Sequence, residues 1–166
     1  MTTRHFYIEI CHENGEIIKN NEYVYSVYDG VRVHFDHSLQ DHQNVLVYSP
    51  DQLKGLIEKY QSSGQSSVLE KIKVLDEDSL TAPSDCVLNF ADARQPGGLY
   101  FYGESTQEEA LCRQSTLYAS ISFEKARVMY DNNRDVKNLD TDYLLLSPCV
   151  EVFRDSELNL TDNKSA

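Results

Sequence analysis

At 166 residues with 40% hydrophobic side chains, the chain is long enough to bury a core and short enough to form one domain. A net charge of -12, from 15 basic against 27 acidic residues, excludes a sequence-independent grip on DNA or RNA, which rests on lysine and arginine contacts to phosphate. A small anionic ligand held by backbone donors is still allowed. No apolar run approaches the roughly 20 residues of a bilayer span, and residues 1–5 lack the charged-then-apolar pattern of a secretory leader. Cys11, Cys86, Cys112 and Cys149 are far apart with no CxxC spacing. They are expected to stay reduced, in the cytoplasm or, for a eukaryote, the nucleus.

In chain order, residues 6–10 read as extended and run into the turn signal Asn14-Gly15. Residues 23–28 and 31–35, rich in aromatic and β-branched side chains, flank Asp29-Gly30 and predict a hairpin. After a strand at 45–48, Ser49-Pro50-Asp51-Gln52 supplies a cap, a first-turn proline and a reciprocal glutamine. The helix it opens runs to about Tyr60, with Leu53, Leu56, Ile57 and Tyr60 on its expected buried face. Residues 61–67 read as a flexible serine and glycine connection. A strand at 71–75, a short helix at 78–82 and a central strand at 85–90 follow.

Ser105-Thr106-Gln107-Glu108 matches a capping box with Ser105 as the cap. The helix it opens runs to about Ser122, with Ala110, Leu111, Leu117, Tyr118 and Ile121 inward. Residues 123–130 continue that helix or form a second one. Residues 143–146 and 150–153 read as one broken strand or two short ones, split at Pro148, and residues 158–166 as a frayed tail. Alternating strands and helices indicate an α/β or mixed domain with ligand contacts at strand ends. The 11 tyrosines are scattered through strands, as half-buried sheet residues are, and not grouped as a stacking platform.

The segment richest in chemistry is Pro96-Gly97-Gly98, directly after the apolar run 86–91 and before Gln107-Glu108-Glu109. Glycines let backbone N–H groups approach a ligand closely, and a helix N-terminus favours anions. Two adjacent carboxylates beside such a pocket suit acid–base work on a phosphate-bearing substrate. The same features also occur as an ordinary Pro-Gly turn and as acidic stabilisers of a first helical turn. Arg113 lies four residues from Glu109, the spacing of a helical ion pair. The imidazoles and carboxylates of His34, Asp36, His37, Asp41 and His42 are of types that bind transition metals, but they match no standard spacing: His34 belongs to the predicted strand and the others read as a solvated polar loop.

The runs LNFADARQPGG (88–98) and QEEALCRQSTLY (107–118), with SPCVEVFRD (147–155), resemble microbial-type poly(ADP-ribose) glycohydrolases. The resemblance implies a macrodomain-like α/β fold, a mixed sheet flanked by helices. It also implies hydrolysis of the ribose–ribose O-glycosidic bond of poly(ADP-ribose), releasing ADP-ribose and using neither cofactor nor metal. Carried over by position, Glu109 is the catalytic carboxylate and Glu108 the neighbour that orients the ribose. Gly97 and Gly98 bring N–H groups to the diphosphate, and Gln107 and Asp92 complete the substrate contacts. Three positions depart from the family pattern: Leu99 stands at the third glycine, Asp92 at an asparagine or serine, and Gln95 at an asparagine. The resemblance covers part of a family domain, so a domain truncated at its C-terminal end is expected, with a sheet edge open to association. The alternatives are a non-catalytic ADP-ribose-binding module and an incomplete domain that awaits a partner chain.

Overall fold

The computed structural model describes residues 3–25, 30–62, 73–82, 84–135 and 140–165, with the backbone alone at 163–165. The first element is a helix, not the expected strand and turn: α1 spans Thr3–Asn20. Ile10, Cys11, Asn14, Ile17 and Ile18 are its buried residues. They recur at three- and four-residue spacing, so tertiary packing along one helical face overrides the local β-propensity of 6–10. Gly15 lies inside this helix.

The predicted hairpin is present as β1 (Glu22–Val24) antiparallel to β2 (Arg32–His34), with Tyr23 opposite Val33. Its tip, including Asp29, lies outside the described residues. The stretch 39–42, expected as loop, is a capped helical turn, α2 (Leu39–His42). There the Ser38 N–H donates to Asp41 at 2.9 Å, and the Asp41 N–H donates back to the Ser38 hydroxyl at 3.2 Å.

Strand β3 (Leu46–Tyr48) precedes α3 (Pro50–Ser62). The predicted cap holds: the Ser49 N–H donates to Gln52 Oε1 at 2.9 Å and the Gln52 N–H to Ser49 Oγ at 3.4 Å. The stripe expected to be buried on α3 is not, since Leu56, Ile57 and Tyr60 are about half exposed. Of the predicted flexible connection, 63–67 lies outside the described residues, as do 71 and 72 of the next predicted strand. The remainder of that strand, 73–75, joins no ladder, and Val74 is exposed. Residues 78–82 make a single turn closed by Ala82 N–H to Asp78 C=O, 3.0 Å. The expected central strand 85–90 is in no strand either, and Leu88 and Phe90 are exposed.

The long helix predicted over 105–122 is two. α4 spans Gln107–Gln114 and α5 spans Leu117–Ile121. The break is imposed from outside. Ser115 bridges to Val152, the Thr116 N–H donates to the Glu151 carbonyl at 3.0 Å, and the Glu151 N–H donates to the Thr116 hydroxyl at 2.9 Å. A 3₁₀ turn, Glu124–Ala126, leads into α6 (Arg127–Asp135). Strand β4 (Leu144–Leu146) pairs antiparallel with β3, Leu145 opposite Val47. Strand β5 (Glu151–Arg154) pairs antiparallel with β6 (Leu160–Ser165), so the tail expected to fray is a strand. Asp155 shapes the turn between them by accepting the N–H groups of Glu157 and Asn159, each at 2.9 Å. The described strands thus form three two-stranded antiparallel sheets, β1-β2, β3-β4 and β5-β6.

Polar groups tie the two ends of the chain together. Arg154, almost fully buried, donates to Asn14 Oδ1 at 2.8 Å, to the Leu158 carbonyl at 2.7 Å and to Glu13 at 2.7 Å. Asn14 also donates to the Arg113 carbonyl at 2.8 Å, which fixes α1 against α4. The histidine-bearing segment is not the solvated loop expected of it. His42 is buried, and buried Glu151 accepts the N–H groups of Asp36 and His37 at 3.0 and 2.8 Å and contacts the His37 ring at 2.9 Å. Among the described residues no helix is long and apolar enough to cross a membrane. All four cysteines are free thiols.

Candidate active site

The first three residues of α4 each send a side chain to the segment 88–99. The Gln107 amide accepts the Phe90 N–H at 2.7 Å and donates to the Leu88 carbonyl at 2.9 Å. This spacing is that of a ladder rung, so a helix side chain stands where a neighbouring strand would pair with 88–90. Glu108 accepts the Asp92 N–H at 2.8 Å on one oxygen. The other accepts the Gly97 N–H at 3.2 Å and the Asn89 amide at 3.3 Å. Glu109 accepts the Leu99 N–H at 2.9 Å on one oxygen and the Thr106 hydroxyl on the other. Glu108 is 2% exposed and Glu109 4%.

The glycines are required by this packing. Gly97 and Gly98 have φ of 72° and 55°, a region that side-chain-bearing residues rarely adopt. A Cβ on Gly97 would lie 2.9 Å from the Tyr118 ring, and one on Gly98 would lie 2.5 Å from Glu109 Oε1. The Gly97 N–H is engaged by Glu108 and the Gly98 N–H by the Gln95 carbonyl at 3.1 Å. The loop that leads to them is an Asx turn: exposed Asp92 accepts the N–H groups of Arg94 and Gln95 at 2.7 and 2.8 Å. The Gln95 amide then donates to the Gly98 carbonyl at 2.8 Å. From α6, buried Asn133 donates to the Ala93 carbonyl at 2.6 Å and holds the loop from behind.

The six residues singled out from the sequence therefore converge on one structure. Gln107, Glu108 and Glu109 project from the start of α4 onto the loop that carries Asp92, Gly97 and Gly98. The helix itself begins one residue later than expected, with Thr106 and not Ser105 at the cap position. Thr106-Gln107-Glu108-Glu109 is itself a threonine–x–x–glutamate spacing, a signal masked by the overlapping match one residue earlier. The Thr106 hydroxyl serves the Glu109 carboxylate and makes no cap to the backbone. Arg113 does not pair with Glu109; no ion pair joins them among the described residues. Instead it donates to the Glu104 carbonyl at 2.6 Å and lies over the Tyr7 ring, 4.2 Å from its centroid. Asn89, the Leu99 N–H, Thr106, Tyr118 and Asn133 are partners that sequence reasoning missed. Apart from the Thr106 spacing, no local pattern marks them.

The two carboxylates differ electrostatically. Burial raises the Glu108 carboxyl above its ordinary value, and this outweighs the N–H donors of Asp92, Asn89 and Gly97. Burial also pushes Glu109 upward, but the Thr106 hydroxyl, the Leu99 N–H and the positive charge of Arg113 together hold it below the ordinary value. Beneath them burial keeps the Cys112 thiol protonated, its pKa raised well above that of a free thiol. A carboxyl of raised proton affinity beside one of lowered proton affinity gives the pair unequal environments, an arrangement suited to general acid–base and electrostatic catalysis.

Residues 12–155 match the family model described as microbial-type PARG, catalytic domain. Poly(ADP-ribose) glycohydrolase from Thermomonospora curvata, solved with the inhibitor ADP-HPD, is 30% identical at a TM-score of 0.79, covering 98% of this chain and 61% of that one. A second structure of the Thermomonospora curvata protein gives 28% identity and a TM-score of 0.77, covering 98% of this chain and 62% of that one. The Deinococcus radiodurans glycohydrolase, solved with ADP-ribose, is 31% identical at a TM-score of 0.66, covering 77% of this chain and 55% of that one. The chain thus spans less than two thirds of the length of these structures, and it shares their macrodomain-like architecture of helices and small sheets. No curated protein sequence matches it. With the match running from within α1 to just past β5, through the glycine loop and both carboxylates, the chain belongs to the microbial-type PARG catalytic-domain family.

Proposed function

We propose that this chain hydrolyses the ribose–ribose O-glycosidic bonds of poly(ADP-ribose), releasing ADP-ribose, with Glu109 as the catalytic carboxylate. The observation that carries this reading is the contact of buried Glu108 and Glu109 with the loop bearing Gly97 and Gly98. Membership of a family whose solved members include complexes with ADP-ribose and ADP-HPD supports it.

In the reaction, the bond between the anomeric carbon of one ribose and the oxygen of its neighbour breaks. The oxygen departs with a proton, and a water oxygen takes its place on the carbon. The transition state is oxocarbenium-like, so an ionised carboxylate beside the ring stabilises it. Glu109, held low by its donors, is ready for that role and for activating the water. Approach of the anionic diphosphate raises its proton affinity, so that it takes up a proton from solvent. It passes that proton to the leaving oxygen, and the carboxylate left behind stabilises the cation and takes a proton from the attacking water. Glu108 fixes Asp92 and Gly97 and so sets the distance between ribose and carboxylate. Gln107 holds the segment 88–90 that leads into this loop. Free thiols at all four cysteines are consistent with a reducing compartment such as the cytoplasm.

The test is incubation of the purified protein with automodified poly(ADP-ribose), following released ADP-ribose, alongside Glu109→Gln. Release by the wild type and not by the variant supports the assignment. If folded wild-type protein releases nothing yet titrates with ADP-ribose, the chain is a binding module and the catalytic reading fails.

A further inference from the structure

The 3₁₀ turn Tyr100–Tyr102 directly follows the glycine loop, and two of its aromatic side chains face outward. Phe101 is 45% exposed and Tyr102 57%, next to half-exposed Leu99. Single exposed apolar residues are ordinary; three within four positions, on a rigid mount beside a candidate active site, are not. The mount is well defined. Buried Tyr100 receives the Cys11 thiol on its carbonyl at 3.1 Å and the Asn14 amide on its phenol at 3.3 Å. Arg4 donates to the Tyr102 carbonyl at 2.7 Å. Gly103, at φ 74°, presses so closely on α1 that a Cβ there would lie 2.5 Å from the Arg4 carbonyl. The Phe101 ring is steadied edge-on by Tyr118, with centroids 5.0 Å apart and planes at 87°.

We propose that Phe101 and Tyr102 form a stacking shelf for the adenine of the poly(ADP-ribose) unit adjoining the one held at Glu109. This rests on the glycohydrolase reading above. Charge argues for this occupant. A chain of net charge -12 cannot hold a polyanion by neutralising its phosphates. The uncharged part of each repeat is the adenine, and purine stacking on aromatic rings tolerates an acidic protein. Position argues for it too. The Leu99 N–H is hydrogen-bonded to Glu109, and Phe101 follows two residues later, a span of about 7 Å at most. A neighbouring unit leaving the carboxylate is therefore within reach of the shelf. Arg4, which donates to the Tyr102 carbonyl and lies 3.5 Å from Glu104, places a cation beside the shelf.

The experiment compares two probes, poly(ADP-ribose) and monomeric ADP-ribose. They are titrated against the Glu109→Gln protein, alone and combined with Phe101→Ala, Tyr102→Ala or Phe101→Leu. The last keeps apolar bulk against Tyr118 and removes the ring. The polymer KM in the otherwise wild-type protein gives a parallel readout. The expected result is tighter binding of polymer than of monomer per unit. Each shelf variant reduces polymer affinity by at least about fivefold, the low end of base–aromatic stacking, and leaves monomer affinity unchanged. A polymer advantage that survives all three variants, or equal losses for both probes, overturns the shelf and leaves the glycohydrolase reading standing. Failure of the folded wild-type protein to bind or cleave either probe overturns both.

Discussion

Replacement of Gly98 by alanine tests the packing on which the site depends. The new methyl carbon would lie 2.5 Å from Glu109 Oε1 and 3.3 Å from Glu108 Oε2. Left-handed backbone at φ 55° costs alanine about 1–2 kcal/mol. Displacing Glu109 from the Leu99 N–H removes a hydrogen bond to a charged acceptor, about 1.5–3 kcal/mol. Reduced freedom of the unfolded chain returns about 0.5–1 kcal/mol. The net loss is about 2–4 kcal/mol, a fall in Tm of roughly 5–15 °C for a chain of this size. Thermal and denaturant unfolding followed by circular dichroism measure it, with Gly15→Ala as the control. Gly15 is inside α1 with nothing within 4 Å of its Cβ position, so that change stabilises by about 0.5–1 kcal/mol. A Gly98→Ala protein within about 0.5 kcal/mol of wild type, well below the expected net loss of about 2–4 kcal/mol, would refute the argument that the loop is pressed onto the carboxylates.

Two further outcomes follow from buried polar groups. The Tyr130 hydroxyl is buried and has no hydrogen-bond partner among the described residues, and burial with nearby Glu108 raises its pKa. Tyr130→Phe is therefore expected to be neutral or to raise the denaturant midpoint, since an unsatisfied buried hydroxyl costs about 1–3 kcal/mol; a marked drop would reveal a partner for it. Glu109 has a folded-state pKa below its unfolded value, so its contribution is present above the ordinary carboxylate range and lost as pH falls through the folded value. The stability gap between wild type and Glu109→Gln should be widest at neutral pH and close on acidification, as read from pH-dependent denaturant midpoints. Glu108, shifted the other way, favours the fold below its unfolded pKa and loses that contribution as pH rises through the folded value.

The parts of this fold legible in the sequence are those fixed by local chemistry. Ser49 and Gln52 announced α3 because both halves of their reciprocal cap lie within one turn. The aromatic and β-branched side chains of 23–28 and 31–35 announced the β1-β2 pairing. With Val24 opposite Arg32 the described strands are shorter than expected, and the turn at Asp29 lies outside the described residues. Where distant partners decide, local signals failed. Residues 6–10 carry strand-like side chains but lie on α1, because Cys11 and Asn14 pack against the segment around Tyr100. The helix predicted through Ser122 stops at Gln114 because β5 takes the backbone of Ser115 and Thr116. Residues 85–90 have the pattern of a buried strand, yet a glutamine 17 residues away from Phe90 answers its N–H. At the site, residue types and spacing pointed to Glu108, Glu109 and the glycines. The identity of the groups packed against Gly97 and Gly98 depended on the folded loop.

The Arg154 network also sets the order of events during synthesis. Its partners Asn14 and Glu13 lie 140 and 141 residues upstream. At ribosomal rates of about 5–20 residues per second, roughly 7–30 s separate the emergence of the two ends. Through that interval Ile17 and Ile18 of α1 lack Phe153 and Leu160 of the β5-β6 ribbon, which join their core cluster. Such non-local closure slows folding, so the nascent chain offers chaperones a long window, and a ribosome stalled before Arg154 would hold a chain whose N-terminal helix can reach Tyr100 and α4 but not the β5-β6 end of its core.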